Sequence, residues 1–409
     1  MMETFKPEDS KQTAEAVAWA AAEEAPLEVF GRGSKRGLGR PVQASRGLDL
    51  SALSGISDYE PEELVLTAGA GTPLAEIEAA VQEADQMLAF EPPHLDPLYG
   101  RAEDAGSIGG ILACNLSGSR RLKAGAARDH FLGLEAVSGR GEVFRAGGRV
   151  VKNVTGYDLA KLMAGSYGTL AALTEVTVKV LPRPEKSYSV LLFGLDDAKA
   201  LEAMTRALNS AHEVSSAAHL PTGLAQHSSI SYLAETETSV TALRVEGPGP
   251  SVKHRVAALR QELSDLAESE ELHSQNSATL WRWLGAGGPL ADGADSGSAI
   301  WRISVAPSDG PSVMARITGE AHPLGYYDWG GGLLWLALPQ GEDAGAGRVR
   351  AALGDVGGHA TLVRADDAAR AAVPVFEPLG KAKAALTERI KDGFDPRRIL
   401  NPGRMYAGI

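Results

Sequence analysis

The hydrophobic residues of the first 180 positions follow two periods, one helical and one alternating. Residues 13–24 and 73–84 space their apolar side chains for a helix, and the short apolar runs 27–30 and 64–67 are typical of strands. Along 174–181, valines alternate with polar residues, which predicts a strand with one buried face. The chain therefore begins with two strand-and-turn units followed by a helix.

Three further signals complete this first part. Residues 107–113 predict a short helix whose amino end faces an anion. Residues 134–138 and 142–145 flank Gly139-Arg140-Gly141, a pattern that predicts a hairpin. Pro182-Arg183-Pro184 then interrupts the alternation and marks a boundary.

Beyond this boundary, strand-like and helix-like runs recur. The predicted strands are 189–193, 240–245, 300–305 and 333–338, and the predicted helices are 196–210, 252–268, 311–321 and 382–391. This order favours an antiparallel sheet that carries helices on one face. The Gly/Ala/Asp-rich stretch 285–297 predicts a mobile loop.

Glycine-rich segments are the main chemical signal. They are Gly31-Arg32-Gly33-Ser34-Lys35, Gly106-Ser107-Ile108-Gly109-Gly110, 152–159 and 165–170. Glycines let backbone N–H groups approach a pyrophosphate or a flavin ring closely, because no Cβ stands in the way. Several such segments within one domain indicate a long ligand.

The segment 31–39 has three competing interpretations. Gly31-x-Gly33 after a strand is also found in dinucleotide-binding Rossmann units, but that fingerprint needs a third glycine where this chain has Arg36, followed by a helix that Pro41 disfavours. A loop that cradles phosphate fits better, with Ser34 and backbone N–H groups on the oxygens and Arg32, Lys35 or Arg36 neutralising charge. A basic surface turn is the structural alternative.

Taken in order, these segments resemble the vanillyl-alcohol-oxidase-like, PCMH-type FAD-binding family, including its glycolate oxidase E subunits. The stretches that carry the resemblance are 31–41, 67–74, 90–93, 106–110, 128–133, 152–162, 174–176 and 401–404. The resemblance implies an α+β fold in which a two-part PCMH-type FAD-binding domain (1–184) precedes an antiparallel-sheet α+β cap domain (185–378). Residues 379–409 would supply a C-terminal helix and tail that return to the FAD domain.

The resemblance also implies which residues contact FAD. They are Gly31, Arg32, Gly33, Ser34, Lys35, Pro92, Gly106, Ser107, Gly109, Gly110, Asn115, Gly118, Thr155, Gly156, Tyr157, Glu175 and Val176. Asp158 is expected to cap a helix. We expect FAD to be non-covalent, because the phosphate loop contains no histidine and His94 lies in a proline-rich loop where a histidine is usually solvated or hydrogen-bonded.

Composition limits the other chemistry. A net charge of −12 argues against a general nucleic-acid surface. The single cysteine, Cys114, cannot form an internal disulfide or hold an iron–sulfur cluster, and the histidine spacing indicates no metal site. Acidic residues within positions 1–30 disfavour a signal peptide, and no long uncharged apolar run predicts a membrane span. We expect a cytoplasmic protein whose membrane contact is at most indirect.

The substrate side gives fewer signals. A 2-hydroxy acid needs a cation for its carboxylate, and Arg302 and Arg364 are the candidates. Related catalytic subunits carry a histidine cluster in the second domain, where this chain has Tyr326, Tyr327 and 328–332. Trp301, Trp329 and Trp335 are typical of core or interface anchors. No catalytic residue is assigned.

The resemblance therefore implies an FAD-binding subunit of a glycolate oxidase complex that converts glycolate, or a similar 2-hydroxy acid, to the 2-oxo acid. Its expected partners are a related flavoprotein subunit and an iron–sulfur subunit that carries the electrons onward. Two alternatives stay open, a self-sufficient flavin dehydrogenase and a flavin-free assembly or scaffold subunit.

Overall fold

The computed structural model describes residues 3–101, 106–149, 156–319, 324–339 and 341–409. The strands in this part of the chain are β1 Glu3–Phe5, β2 Leu27–Phe30, β3 Arg46–Asp49, β4 Ile56–Glu60, β5 Val65–Gly69, β6 Gln86–Met87, β7 Phe131–Ser138, β8 Val143–Gly147, β9 Ala171–Lys179, β10 Leu181–Pro182, β11 Lys186–Phe193, β12 Val214–Leu220, β13 Val240–Gly247, β14 Ser269–His273, β15 Ala299–Ser304, β16 Gly325–Asp328, β17 Leu333–Leu338 and β18 His359–Arg364. The helices are α1 Ser10–Ala22, α2 Leu74–Glu83, α3 Ile108–Cys114, α4 Arg121–Ala124, α5 Ala127–His130, α6 Leu159–Met163, α7 Asp197–Asn209, α8 Ser231–Ala234, α9 Gly249–Glu262, α10 Ser274–Gly285, α11 Gly288–Gly293, α12 Gly310–Thr318, α13 Ala346–Leu353, α14 Asp367–Ala372 and α15 Lys381–Phe394.

Two larger sheets and a two-stranded antiparallel sheet of β6 and β10 build the first part of the chain, which contains β1 to β10. A three-stranded parallel sheet has the order β1-β3-β2, and a five-stranded antiparallel sheet has the order β4-β5-β9-β7-β8. The strand β9 lies at the centre of the second sheet, where it pairs with β5 and β7. Val176 and Val178 are fully buried on one of its faces. The strands and the hairpin predicted from the sequence are confirmed here.

Asp158 caps α6 by accepting a hydrogen bond from Lys161 N at 3.1 Å, as predicted.

One eight-stranded antiparallel sheet builds the second part, in the order β14-β11-β13-β12-β16-β17-β15-β18. The helices α7, α9, α12 and α13 cover one face of it. The other face packs against the first part, with Tyr326 and Trp335 in the same core as Phe90 and Ile111. The fold is thus an α+β arrangement in which an antiparallel-sheet second part packs on the first part.

Two sequence predictions about this second part were wrong. The stretch 285–297 contains the helix α11, because Pro289 starts it and Leu290 is fully buried. Helices also lie on both faces of the sheet, since α10 and α11 bury Trp281 and Leu290, respectively, on the face toward the first part. Trp301 and Trp335 are buried core residues, as predicted.

The C-terminal segment returns to the first part of the molecule. Leu400 forms a parallel bridge with Leu27 at the start of β2. The Asn401 side chain accepts a hydrogen bond from Val29 N at 2.8 Å and donates to Tyr167 O at 2.8 Å. These contacts place the tail beside two of the glycine-rich segments. The domain bounds 1–184, 185–378 and 379–409 stay a prediction.

Candidate functional site

Residues of three predicted glycine-rich segments, 31–35, 106–110 and 165–170, meet in one cavity, which we call the glycine-lined cavity. Its lining comprises Val29, Phe30, Gly31, Arg32, Gly33, Ser34, Lys35, Arg36, Leu50, Ala70, Ser107, Gly109, Gly110, Ala113, Cys114, Tyr167, Gly168, Ala171, Leu173 and Arg404. Gly106 adjoins it, because a Cβ there would lie 2.8 Å from Lys35 Nζ. The structure therefore brings the loop 31–35 and residues 106–110 together.

The charges of this lining favour an anion. It contains four basic residues, Arg32, Lys35, Arg36 and Arg404, and no acidic one. Only Arg36 has a close carboxylate partner in the described structure, Glu28. Burial lowers the pKa of Lys35 and of Arg404 because it disfavours their charged forms, and a phosphate bound beside these cations would offset that cost.

The glycines differ in what they make room for. A Cβ at Gly109 would lie 2.7 Å from the Ala70 carbonyl oxygen, so this glycine allows α3 to approach β5. A Cβ at Gly110 would meet only Ser107 Oγ at 3.4 Å and Lys35 Cδ at 3.5 Å, which are ordinary contacts. Gly109 therefore serves packing, whereas Gly110 leaves open space in the cavity.

The phosphate-loop candidate is held by two arginines to which the sequence analysis gave no role. Arg370 Nη1 donates to the carbonyl oxygens of Gly37 at 2.8 Å and Gly39 at 2.7 Å. Arg404 Nη2 donates to Lys35 O at 2.7 Å. Because both anchors come from the last 40 residues, the C-terminal part of the chain fixes the loop that lines the cavity.

A second, smaller cavity lies where the cap sheet faces the first part, and we call it the interface pocket. It is lined by Leu38, Pro93, Leu95, Leu116, Tyr167, Arg302, Trp335, Thr361 and Val363. The two cavities enclose about 90 and 40 Å³, less than the roughly 300–1,000 Å³ of typical ligand sites. A dinucleotide therefore requires lining side chains to move, and Tyr167 is the residue that both linings share.

Seven predicted contacts lie elsewhere. Pro92 and Gly118 line a separate cleft of about 780 Å³ between the two parts, which we call the domain cleft. Asn115 caps α3, and its side chain accepts a hydrogen bond from Arg128 N at 3.0 Å.

Glu175 and Val176 lie in the central strand β9. Both flanking strands pair with them, so their backbone groups are directed at β5 and β7. Gly156 is exposed, and Tyr157 is 93% exposed.

Thr155 and the rest of the Lys152–Thr155 segment lie outside the described residues. Two other sequence expectations can be located. The His94 ring is 3.3 Å from the Glu78 carboxylate and lines the domain cleft, not the glycine-lined cavity. Cys114 is half-buried in the cavity lining, and burial raises the pKa of its thiol, which does not favour a thiolate nucleophile.

The domain cleft contains a charged network that the sequence analysis missed. Glu91 accepts hydrogen bonds from Arg244 Nη1 at 2.6 Å and Nη2 at 2.7 Å, and from Arg120 N at 2.9 Å. Arg120 Nη2 also donates to Glu246 at 2.6 Å. Because Glu91 and Arg120 belong to the first part and Arg244 and Glu246 to the cap sheet, the network joins the two parts.

This network predicts a specific acid sensitivity. Burial alone would raise the pKa of Glu91, but Arg244 and Arg120 outweigh burial and lower it from 4.5 to about 2. A carboxylate with a lowered folded pKa contributes stability above its unfolded pKa and loses it as the pH falls toward the folded pKa. We expect the unfolding free energy to fall by about 3 kcal/mol between pH 4.5 and 2 on this account.

The measurement is urea unfolding of the wild type and of Glu91→Gln across this pH range. The variant should be less stable at pH 7, because Arg244 loses its bidentate partner, and its stability should depend less steeply on pH. Parallel pH curves for the two proteins would contradict the assignment.

A family model described as "FAD binding domain" matches residues 3–147. The glycolate oxidase subunit GlcE of Escherichia coli is 37% identical over 98% of this chain and 98% of its own length. Glycolate oxidase subunit GlcD of Bacillus subtilis is 35% identical over 37% of this chain and 30% of its own length. A D-lactate dehydrogenase of Archaeoglobus fulgidus is 33% identical over 44% of this chain and 38% of its own length.

Solved structures show the same fold. 4-Ethylphenol oxidase from Gulosibacter chungangensis has a TM-score of 0.73 at 15% identity, covering 99% of this chain and 89% of that one. p-Cresol methylhydroxylase has a TM-score of 0.70 at 15% identity, covering 99% and 88%. Among the described residues, no helix is long and apolar enough to cross a membrane. The chain belongs to the PCMH-type FAD-dependent oxidoreductases that act on 2-hydroxy acids, in the family of the glycolate oxidase E subunit.

Proposed function

We propose that this chain is the FAD-binding subunit of a glycolate oxidase complex, which oxidises glycolate or a similar 2-hydroxy acid to the 2-oxo acid and passes electrons to an iron–sulfur partner. The observation that supports it most is the glycine-lined cavity, whose basic, acid-free lining suits a pyrophosphate. The 37% identity to GlcE over 98% of the chain supports the same assignment.

In this proposal the chain's own residues hold FAD without a covalent bond. The loop from Gly31 to Lys35 and the residues Ser107, Gly109 and Gly110 would hold the pyrophosphate, with Lys35 and Arg404 as its counter-charges. Bound FAD supplies a hydride acceptor for the CH–OH group of the substrate. Tyr167 lines both this cavity and the interface pocket.

The partners belong to the proposal as well. A related flavoprotein subunit and an iron–sulfur subunit would complete the complex, and names such as GlcE and GlcD indicate a multi-subunit glycolate oxidase. Cys114 is the only cysteine of this chain, so cluster ligands must come from another subunit. We place the complex in the cytoplasm, with any membrane contact made through its partners.

The test compares the full complex with a complex that lacks this chain. Glycolate added without oxygen should bleach the flavin absorbance of the full complex and then reduce the iron–sulfur subunit, and omission of this chain should abolish the second step. Equal reduction of the cluster without this chain would overturn the proposal. Full turnover by the isolated chain with a soluble dye would instead favour a self-sufficient dehydrogenase.

A further inference from the structure

Arg302 is a cation of the interface pocket with unused hydrogen-bonding capacity. It projects from β15 toward the first part, where its Nη2 donates a long hydrogen bond to Ser117 O at 3.3 Å. Its Nε is buried and has no hydrogen-bond partner in the described structure. A guanidinium offers five donors, so this side chain retains donors for a ligand.

The surroundings of Arg302 do not neutralise it. Its guanidinium lies 4.9 Å from the Trp329 ring and 5.4 Å from the Trp335 ring, and both indoles shield it from water. The nearby Asp328 carboxylate acts to raise the pKa of Arg302. The oxygens of Asp328, however, accept hydrogen bonds from Ser119 Oγ at 2.7 Å and from Trp329 N at 2.7 Å. Burial, together with the charge of Arg121, lowers the pKa of Arg302 to about 10.

The lowered pKa of Arg302 reflects the cost of burying its charge without a partner anion. Because this pKa is about 10, Arg302 still carries its charge at pH 7. A buried charge is stabilised most by a paired, hydrogen-bonded opposite charge. A carboxylate suits this need, because it accepts two parallel hydrogen bonds from one guanidinium.

The other cation considered from the sequence, Arg364, is not available for this role. Its Nε, Nη1 and Nη2 donate to the carbonyl oxygens of Ser298, Leu98 and Asp295 at 3.1, 3.0 and 2.9 Å. These three bonds join β18 to neighbouring loops. Arg364 is therefore a structural residue, and Arg302 is the candidate that the pocket leaves free to bind.

We infer that Arg302 binds the carboxylate of a small 2-hydroxy acid in the interface pocket. This inference rests on the proposed function and names the residue that holds the substrate. The small size of the pocket, about 40 Å³, and its apolar walls, including Leu38, Leu116 and Val363, favour an acid with a short carbon chain. The Trp329–Trp335 pair excludes water from the ion pair, which strengthens it.

The backbone at Trp329 keeps this arrangement rigid. Trp329, Gly330 and Gly331 all have positive φ angles, of 51°, 64° and 97°. A Cβ at Gly330 would lie 2.5 Å from Leu208, and one at Gly331 would lie 2.9 Å from Leu201, so the turn is packed tightly on α7. The Trp329 indole is further fixed by a 3.1 Å hydrogen bond to Gly118 O. Arg302 therefore faces a preformed site.

The experiment measures the affinity of the FAD-loaded protein for oxalate by calorimetry. Oxalate carries the carboxylate but no hydrogen that could be transferred as hydride, so binding is observed without turnover. We expect Arg302→Gln to weaken oxalate binding by at least about tenfold, which corresponds to about 1.4 kcal/mol, and Arg302→Lys to restore part of it. Flavin content should stay normal, because Arg302 does not line the glycine-lined cavity.

Two controls make the result specific. Arg206→Gln removes an exposed arginine of the same domain, paired with Asp265 at 2.9 Å, and should leave oxalate affinity unchanged. Neutral ethylene glycol should bind wild type and Arg302→Gln equally weakly. Normal oxalate affinity in folded, FAD-loaded Arg302→Gln would overturn the inference alone, as would wild-type protein that holds FAD but binds no oxalate. Protein that takes up no FAD would overturn the proposed function instead.

Discussion

Replacing Gly110 with leucine is expected to remove FAD from a protein that still folds. The first atom of the new side chain meets only Ser107 Oγ at 3.4 Å and Lys35 Cδ at 3.5 Å, so the fold tolerates it. The remaining atoms extend into the glycine-lined cavity and occupy the space proposed for the cofactor. We expect flavin occupancy to fall by at least about tenfold, measured from absorbance per protein, while the melting temperature of the flavin-free protein changes little.

Two other glycines provide matched controls for this result. Gly393→Leu in α15 meets no atom within 4 Å and should keep both fold and flavin. Gly109→Leu should fail to fold, because its Cβ would lie 2.7 Å from the Ala70 carbonyl oxygen. Normal flavin content in folded Gly110→Leu would contradict the placement of the cofactor beside α3.

Replacing Asp395 with alanine is expected to destabilise the protein by about 3–5 kcal/mol. Asp395 and Lys391 are both fully buried, and Lys391 Nζ lies 2.7 Å from Asp395 Oδ2. Asp395 also accepts from Ile399 N at 3.1 Å and Leu400 N at 2.8 Å. The variant leaves a buried ammonium without its counter-charge and frees the turn that directs the tail toward β2. Urea unfolding at pH 7 measures the loss.

The neighbouring pair of Asp392 and Arg398 is a useful contrast. It is also an ion pair between an aspartate and a basic side chain, with a 2.8 Å distance between charged atoms, but both side chains are partly exposed. Asp392→Ala should therefore cost less than about 1 kcal/mol. If the two alanine variants lost similar stability, the buried pair would not be what holds the tail in place.

We also expect Asp395→Ala to lose more FAD than Asp392→Ala, because the tail carries Arg404.

The sequence identified those parts of the site that lie within single short segments. The loop 31–35 and residues 106–110 were recognisable because glycine type and spacing directly determine how closely a backbone can approach a ligand. The alternation along 174–181 likewise reports one buried face, and β9 follows it. Such local rules gave the strands, the hairpin and two walls of the cavity.

Residues that act across long sequence separations could not be found in this way. Arg404 and Lys35 are 369 positions apart, and Arg244 and Glu91 are 153 apart, yet each pair is hydrogen-bonded. Nothing in the local pattern distinguishes these arginines from surface ones. The buried charges depend on how the cap sheet docks, which the hydrophobic periods do not specify.

A motif identifies residue types but not their orientation or surroundings. Glu175 and Val176 lie in the predicted strand, but the strand is central, so its backbone groups are committed to both neighbours. The stretch 285–297 is rich in glycine, yet Pro289 and Leu290 supply a helix start and a buried anchor there. Composition alone did not reveal either constraint.

The most direct test of the account is the absorbance spectrum of the purified chain, followed by identification of the flavin released with acid. We expect a yellow protein with about one FAD per chain, released without covalent attachment. The basic lining around Lys35 and Arg404 should also make FAD bind more tightly than riboflavin, which lacks the pyrophosphate. A colourless, folded protein that takes up no added FAD would contradict the central claim.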